Sequence, residues 1–449
     1  MVERPNLKEF RIEDSRDGIV HLVFDMPGRK MNVFSNSAIA DIGLFAAWLK
    51  GSDARGCVVR SGKTTAFCAG ADLPEIEAAY EMIEAAPLAE REKRAFDHFT
   101  PLGANFRALE TVGKPVVAAI DGLALGGGCE LALACHARIM TTSKNAQLGL
   151  PESLVGLLPG AGGTQRLPRL VDMETALRVL LDGGRLNAAQ ALEKGLVVAL
   201  VAPGHEIEAA EQWILQSTDA RQPWDKAGSA GKSEAAHARI ARERQARRRL
   251  PNGHYPAPLA ILDCIEGGLD APMDQALAHE MTVFSRLIQR PEPRAMIRAL
   301  FMGRLDHDRL AAKGALPRQL QAVLEHASIG LERACEVARA QGVDEESIAR
   351  ARNFAGFAAA NSSSATGNEE ADARDADGYW FESPGATAIE SLAAAMIFGV
   401  AGAVKDDLDG LQQMEINAVD YVASSQIQFP AYLGGPLALA RRVASHGAA

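Results

Sequence analysis

Apolar and polar positions change rhythm near the middle of the chain. In the first half, short aliphatic and β-branched runs predict strands at residues 19–25 (IVHLVFD), 57–60, 115–120 (PVVAAI) and 137–142. Helical stretches, among them residues 37–49 and 129–136, separate these runs. Strands alternating with helices predict an α/β fold with largely parallel sheets. From Pro258 onward only helical periods are found, at residues 259–265, 273–288, 293–302, 318–341, 345–360, 386–407 and 408–425. Residues 221–250 carry nine basic and three acidic side chains and end in Arg247, Arg248 and Arg249, which predicts a solvated linker or exposed helix. Residues 361–377 are polar and acidic and read as a loop. Residues 429–436 (FPAYLGGP) read as a turn-rich cap.

A length of 449 residues fits two or three domains. The net charge of −10 disfavours general binding to nucleic acid or anionic membranes. An aromatic content of 5% argues against a base-stacking surface. The six cysteines (57, 68, 129, 135, 264 and 335) lack zinc-ligand spacing, so reduced packing thiols and no metal are expected. The N-terminal segment MVERPNLKEF has no apolar signal region, and the apolar run at 392–404 is shorter than the ~18 residues of a membrane span. These features lead us to expect a cytoplasmic protein.

Three segments carry candidate chemistry. Residues 66–73 (AFCAGADL) are small and uncharged until Asp72, which lets backbone approach a ligand or make a tight turn. In residues 121–134 (DGLALGGGCELALA) a strand runs into three glycines and then a helix. Amides at such a helix start can bind a phosphate or a developing oxyanion. Glu130 stands in the first turn, where a carboxylate is also simply helix-stabilising. In residues 149–169 (GLPESLVGLLPGAGGTQRLPR), Glu152 stands among apolar residues. Buried, it would have the raised pKa of a general acid; exposed, it is a turn residue. Residues 159–163 (PGAGG) form a second loop of backbone donors. His136, Lys30, Cys68 and Cys129 take plain readings as a structural histidine, a solvated lysine and packing thiols.

Together these motifs resemble the crotonase (enoyl-CoA hydratase/isomerase) superfamily, most of all the hydratase part of the fatty-acid oxidation multifunctional enzymes. The resemblance covers roughly residues 10–217. It implies a ββα spiral core followed by an all-α C-terminal region. It also implies oxyanion-hole amides at Ala71 and Gly127, catalytic carboxylates Glu130 and Glu152, and a water-positioning amide at Gly160. The coenzyme A site would involve Ala69, Ala71, Asp72 and Leu73. The implied activity is hydration of a 2-enoyl-CoA in β-oxidation. The alternatives are a Δ3-Δ2-enoyl-CoA isomerase and a CoA-ester-binding subunit of a multienzyme complex.

The implied organisation is a hydratase domain (1–217), a basic linker (218–256), linker helices packing on the core (257–310) and a divergent helical domain (311–449). Residues 427–437 (IQFPAYLGGPL) loosely resemble the end of the helical dehydrogenase domain of those enzymes. No Rossmann signature of strand, glycine turn and helix followed by an acidic residue is found, so no NAD and no other cofactor is expected. Expected partners are the acyl-CoA substrate and a homo-oligomer, or a dehydrogenase or thiolase subunit docking on the helical half.

Overall fold

The computed structural model describes residues 3–217, 219–226, 234–248, 254–357 and 387–446. The acidic loop expected at 361–377 and Arg249 of the basic run lie outside them. The chain divides into two compact units: 1–241 with 257–289, and 242–256 with 290–449.

The first unit is built on two sheets. Strands β1 (Phe10–Asp14), β2 (Ile19–Phe24), β3 (Gly56–Ser61), β5 (Val116–Ile120), β7 (Ala137–Thr141) and β10 (Ala199–Val201) form a six-stranded sheet in that spatial order. Strands β4 (Ala66–Cys68), β6 (Leu123–Leu125), β8 (Gln147–Gly149) and β9 (Arg185–Asn187) form a second sheet. Only β1 with β2 and β8 with β9 pair antiparallel. The chain lays one strand in the large sheet and the next in the small one, then crosses back. It does so through β3 and β4, β5 and β6, and β7 and β8. Helix α1 (Asn36–Gly51) precedes the first of these pairs; α2 (Leu73–Glu84) and α3 (Leu88–Glu110) follow it, and α4 (Gly127–Ala134) follows the second. This is the ββα spiral.

Every residue of β2, β5 and β7 is buried, as expected of parallel strands covered on both faces. One face is sealed by the helix Glu206–Gln216, whose Ala210 and Ile214 pack on Ile19, Val58, Val117 and Ile139. The strands read from the sequence all form. β1 (FRIED) escaped the sequence because it is mostly polar, and the three-residue strands, β10 and those of the small sheet, because so short a run shows no period.

The second unit is helical. No strand follows Val201 among the described residues. The helices Leu320–Ala340, Ala388–Val404 and Gln413–Gln426 share a core containing Val323, Ile397, Val400 and Val419. Fully buried Tyr432 donates its hydroxyl to the Ala355 carbonyl at 3.0 Å. The turn-rich cap is a single short helical turn, Ala431–Leu433. A further helix, Pro436–His446, follows it, started by buried Asp420, which accepts from the N–H groups of Leu437 and Ala438. The sequence reading ended the apolar run at Val404. Residues Ala388–Leu408 form 21 helical residues, and an 18-residue window of them has a mean hydropathy of 1.5, enough in length and composition to cross a membrane. Eight side chains of the Ala388–Val404 helix are buried in the unit, as in an ordinary core helix.

Candidate active site

Strands β4, β6 and β8 lie side by side and parallel, so their C-terminal ends open on one edge. Each end delivers one of the three segments singled out above: residues 69–72, the glycine run at 126–128, and Pro151 with Glu152. Ligands in parallel α/β sheets bind at this kind of edge.

Gly126, at φ 53°, turns the chain from β6 into α4. It lies in the left-handed region that glycine tolerates. Its N–H donates to the Gly149 carbonyl at 2.9 Å, tying the turn to β8. A Cβ added there would lie 2.9 Å from Glu152 Oε1 and 3.5 Å from Gly70 Cα. A Cβ on Gly70 would lie 3.9 Å from the nitrogen of Gly127. The three segments therefore meet within van der Waals reach. The bonds that fix residues 69–72 use the N–H groups of Ala69 and Asp72, to Asn32 and Phe34 carbonyls. The Ala71 amide takes no part in them, and Gly127 is the first residue of α4, where N–H groups lack helical acceptors.

The two glutamates have unlike surroundings. Glu130, 3% exposed, accepts through Oε1 from the N–H groups of Ala161 at 2.7 Å and Gly163 at 2.8 Å. Burial pushes its pKa up, and those two bonds and Arg166 pull it back. Glu152 opens a short helical turn, Glu152–Val155, after Pro151. Its Oε2 is buried with no hydrogen-bond partner. Burial first, then the charges of Glu130 and Glu280, hold its pKa well above the ordinary carboxyl range. Two carboxyls pushed apart in this way suit an acid and a base in one site.

The open cavity over these groups spans about 740 Å³, with part of that space open to solvent. Ala71, Asp72, Gly127, Glu130, Glu152 and Gly160 all line it. Ala69 and Leu73 are outside its wall: Ala69 is bonded to Asn32, and Leu73 begins α2. The Asp72 side chain turns to Arg29 at 2.7 Å. Phe34, Phe99 and Phe284 make an aromatic wall, with His98 and Glu75 on the α2–α3 side.

Phe284 and Glu280 come from the helix Met273–Leu287 and were missed from sequence. A signal was present, because Ala276, Glu280 and Phe284 recur every four residues and put a carboxylate within an apolar stripe. His136 is structural: its Nδ1 accepts from Val116 N–H at 3.0 Å and its Nε2 meets the Glu110 carbonyl at 3.0 Å. All six cysteines are free and buried, and burial lifts the Cys68 thiol to about 12. Among the described residues no cluster of metal-ligating side chains occurs.

A spiral α/β core with two carboxyls and two amides at one sheet edge defines a class, and the sequence agrees. Residues 14–253 match the model of the enoyl-CoA hydratase/isomerase family, and the chain belongs to that family. Over 364 residues it is 35% identical to the "fatty acid oxidation complex subunit alpha" of Shewanella frigidimarina (strain NCIMB 400), covering 78% of this chain and 50% of that one. Over 320 residues it is 35% identical to the protein of that name from Shewanella baltica (strain OS185), covering 70% and 44%. The chain thus spans about half the length of the curated relatives it matches. Among solved structures, an enoyl-CoA hydratase from Bacillus anthracis is 25% identical, with a TM-score of 0.41 over 65% of this chain and 95% of that one. Pseudomonas aeruginosa DspI is 28% identical, with a TM-score of 0.42 over 61% and 93%.

Proposed function

We propose that the chain is a 2-enoyl-CoA hydratase, adding water across the 2,3 double bond of a coenzyme A thioester to give a 3-hydroxyacyl-CoA. The observation that carries this reading is the pairing of Glu130 and Glu152, two buried carboxyls of unlike environment, at the wall of one apolar cavity. Addition of water at C3 pushes negative charge onto the thioester oxygen. Amides of Ala71 and Gly127 would receive it, and losing one such donor typically costs about 3 kcal/mol of transition-state stabilisation. Glu130, fixed by two backbone bonds, orients water and accepts its proton. Glu152, whose pKa is raised by burial and by the neighbouring carboxylates, delivers a proton to the α-carbon. The Gly160 backbone, at the cavity wall, helps place the water.

The Ala71–Asp72 backbone is the part of the proposed coenzyme A site that lines the cavity. The reading involves no nucleotide cofactor. The glycines at 399–402 (GVAG) lie inside the helix Ala388–Val404, and among the described residues no strand leads into it, so 3-hydroxyacyl-CoA with NAD is expected to give no NADH. Incubating the protein with a panel of 2-enoyl-CoA esters and following loss of the conjugated absorbance tests the proposal. Turnover that vanishes in Glu152→Gln supports it. Absence of turnover with every ester, or unchanged turnover in that variant, sinks it.

A further inference from the structure

One buried carboxyl beside the site has no part in the chemistry above. Glu280 is 1% exposed and comes from the helix Met273–Leu287, more than a hundred residues beyond the loop it touches. It accepts from the N–H groups of Gly162 at 2.6 Å and Thr164 at 3.1 Å, and the Thr164 hydroxyl donates to it as well. The neighbouring amides go elsewhere: Ala161 and Gly163 donate to Glu130. Four consecutive N–H groups, 161 to 164, are therefore dealt alternately to Glu130 and Glu280. The strip is the entry to helix α5 (Gly163–Leu170), with Gly162 at φ 99°. One turn further along its helix, Phe284 packs over the other end of the strip. A Cβ on Gly160 would lie 3.0 Å from its ring.

Ordinary helix capping does not require this arrangement. A carboxylate near a helix start is stabilising from an exposed position. Burying one is costly, and Glu280 has no ion-pair partner among the described residues. Its bonds are all to the strip that also grips Glu130.

We propose that Glu280 is a positioning residue for hydration, holding residues 161–164 so that the Ala161 and Gly163 amides fix the Glu130 carboxylate toward the water. The inference rests on the reading of Glu130 as a water-activating group. The titratable and charged groups around Glu280 are Glu130, Glu152, Arg166, Arg169 and Cys264. Its own pKa is raised to about 8, chiefly by burial and then by Glu130. Its charge in turn contributes to the raised pKa of Glu152.

The test uses the full chain with three variants, Glu280→Ala, Glu280→Gln and Thr164→Val. Each is measured for kcat and KM across pH and for amide hydrogen exchange of the 161–164 strip. Glu280→Ala is expected to lower kcat by about 10- to 100-fold, as loss of a supporting partner behind a reacting group typically does, with KM little changed and exchange of the strip accelerated. Glu280→Gln keeps an acceptor and should restore most of kcat and of the protection. By removing a charge near Glu152 it should move the Glu152-governed limb of the profile to lower pH. Thr164→Val should speed exchange of the strip more mildly.

A Glu280→Ala protein with wild-type kcat and exchange overturns the proposal. So does one that merely melts earlier with kcat and pH profile intact. If Glu280→Ala does not fold, a Gln variant whose profile superimposes on the wild type, together with unchanged exchange in Thr164→Val, overturns it. Should the wild type hydrate no enoyl-CoA, the hydration reading fails, and the exchange measurements alone decide whether Glu280 holds the strip.

Discussion

At the residue scale, the roles of the two glutamates separate by experiment. Glu152→Gln is isosteric and removes a carboxyl whose pKa is raised by burial. It is expected to cut turnover by about a thousandfold or more, with a melting temperature at or above that of the wild type. Glu130→Gln should also be severe, and the double variant should fall short of the product of the two losses, because residues acting as a unit are non-additive. Steady-state kinetics beside thermal melts checks both statements. Gly128 gives a steric prediction: a Cβ there would lie 2.7 Å from both the Cβ and the carbonyl oxygen of Cys68. Gly128→Ala should therefore destabilise the first unit by about 1–3 kcal/mol in denaturant titration, since backbone must move to admit it. Glu130 and Glu152 stand out in the sequence, one just after three glycines and the other after a proline in an apolar stretch, and the structure lines one cavity with both; their proposed roles come from the family resemblance. Glu280 was missed: its place in an apolar stripe marks it as buried, but the strip it grips lies more than a hundred residues away and is met only in the tertiary packing.

At the element scale, α5 is held from two sides. Glu280 grips its entry, and fully buried Arg166 binds Glu110 of α3 through Nε at 3.0 Å and Nη2 at 3.2 Å, with Nη1 on the Ala161 carbonyl at 2.7 Å. Arg107 completes the network on Glu110 at 2.9 Å. Removing one partner of such a pair strands the other in the interior, so Arg166→Met is expected to cost about 3–5 kcal/mol by chemical denaturation. The acidic cluster makes a separate prediction about pH. A carboxyl whose folded pKa is raised stabilises fully below its unfolded pKa and loses that contribution as pH rises through the folded value. For Glu280 the window runs from about 4.5 to about 8. The melting temperature of Glu280→Gln should therefore gain on that of the wild type as pH rises from 5 to 8. A constant difference across that range would show that Glu280 does not titrate there. The long strands of the large sheet were legible as apolar runs. The small sheet, which aims the site, was not, since three-residue strands such as Leu123–Leu125 owe their existence to neighbours already in place.

At the scale of the whole molecule, the two units have separate cores, and the cavity draws only on the first. Ile397 is fully buried in the second. Ile397→Ala is expected to cost that unit about 2–5 kcal/mol while kcat stays close to wild type, by denaturant titration beside the hydration assay. The change from alternating to purely helical periods, near residue 258, falls between the points at 241 and 289 where the two units divide. Their boundary was hidden, because helices either side of residue 289 share one period and differ only in which core they fill. That boundary has a consequence for how the protein is made. The chain leaves the first unit after residue 241, contributes residues 242–256 to the second, and returns with 257–289. The helix bearing Glu280 and Phe284 is thus translated only after the chain has already begun its other unit. A ribosome that has finished every described strand, with Glu130 and Glu152, still holds a chain whose 161–164 strip lacks one of its two carboxyl partners. Until Glu280 has emerged, the Gly162 and Thr164 amides lack their acceptor, while those of Ala161 and Gly163 already have Glu130. Nascent chains stalled between residues 241 and 289 are therefore expected to hold the 161–164 strip less firmly than longer ones.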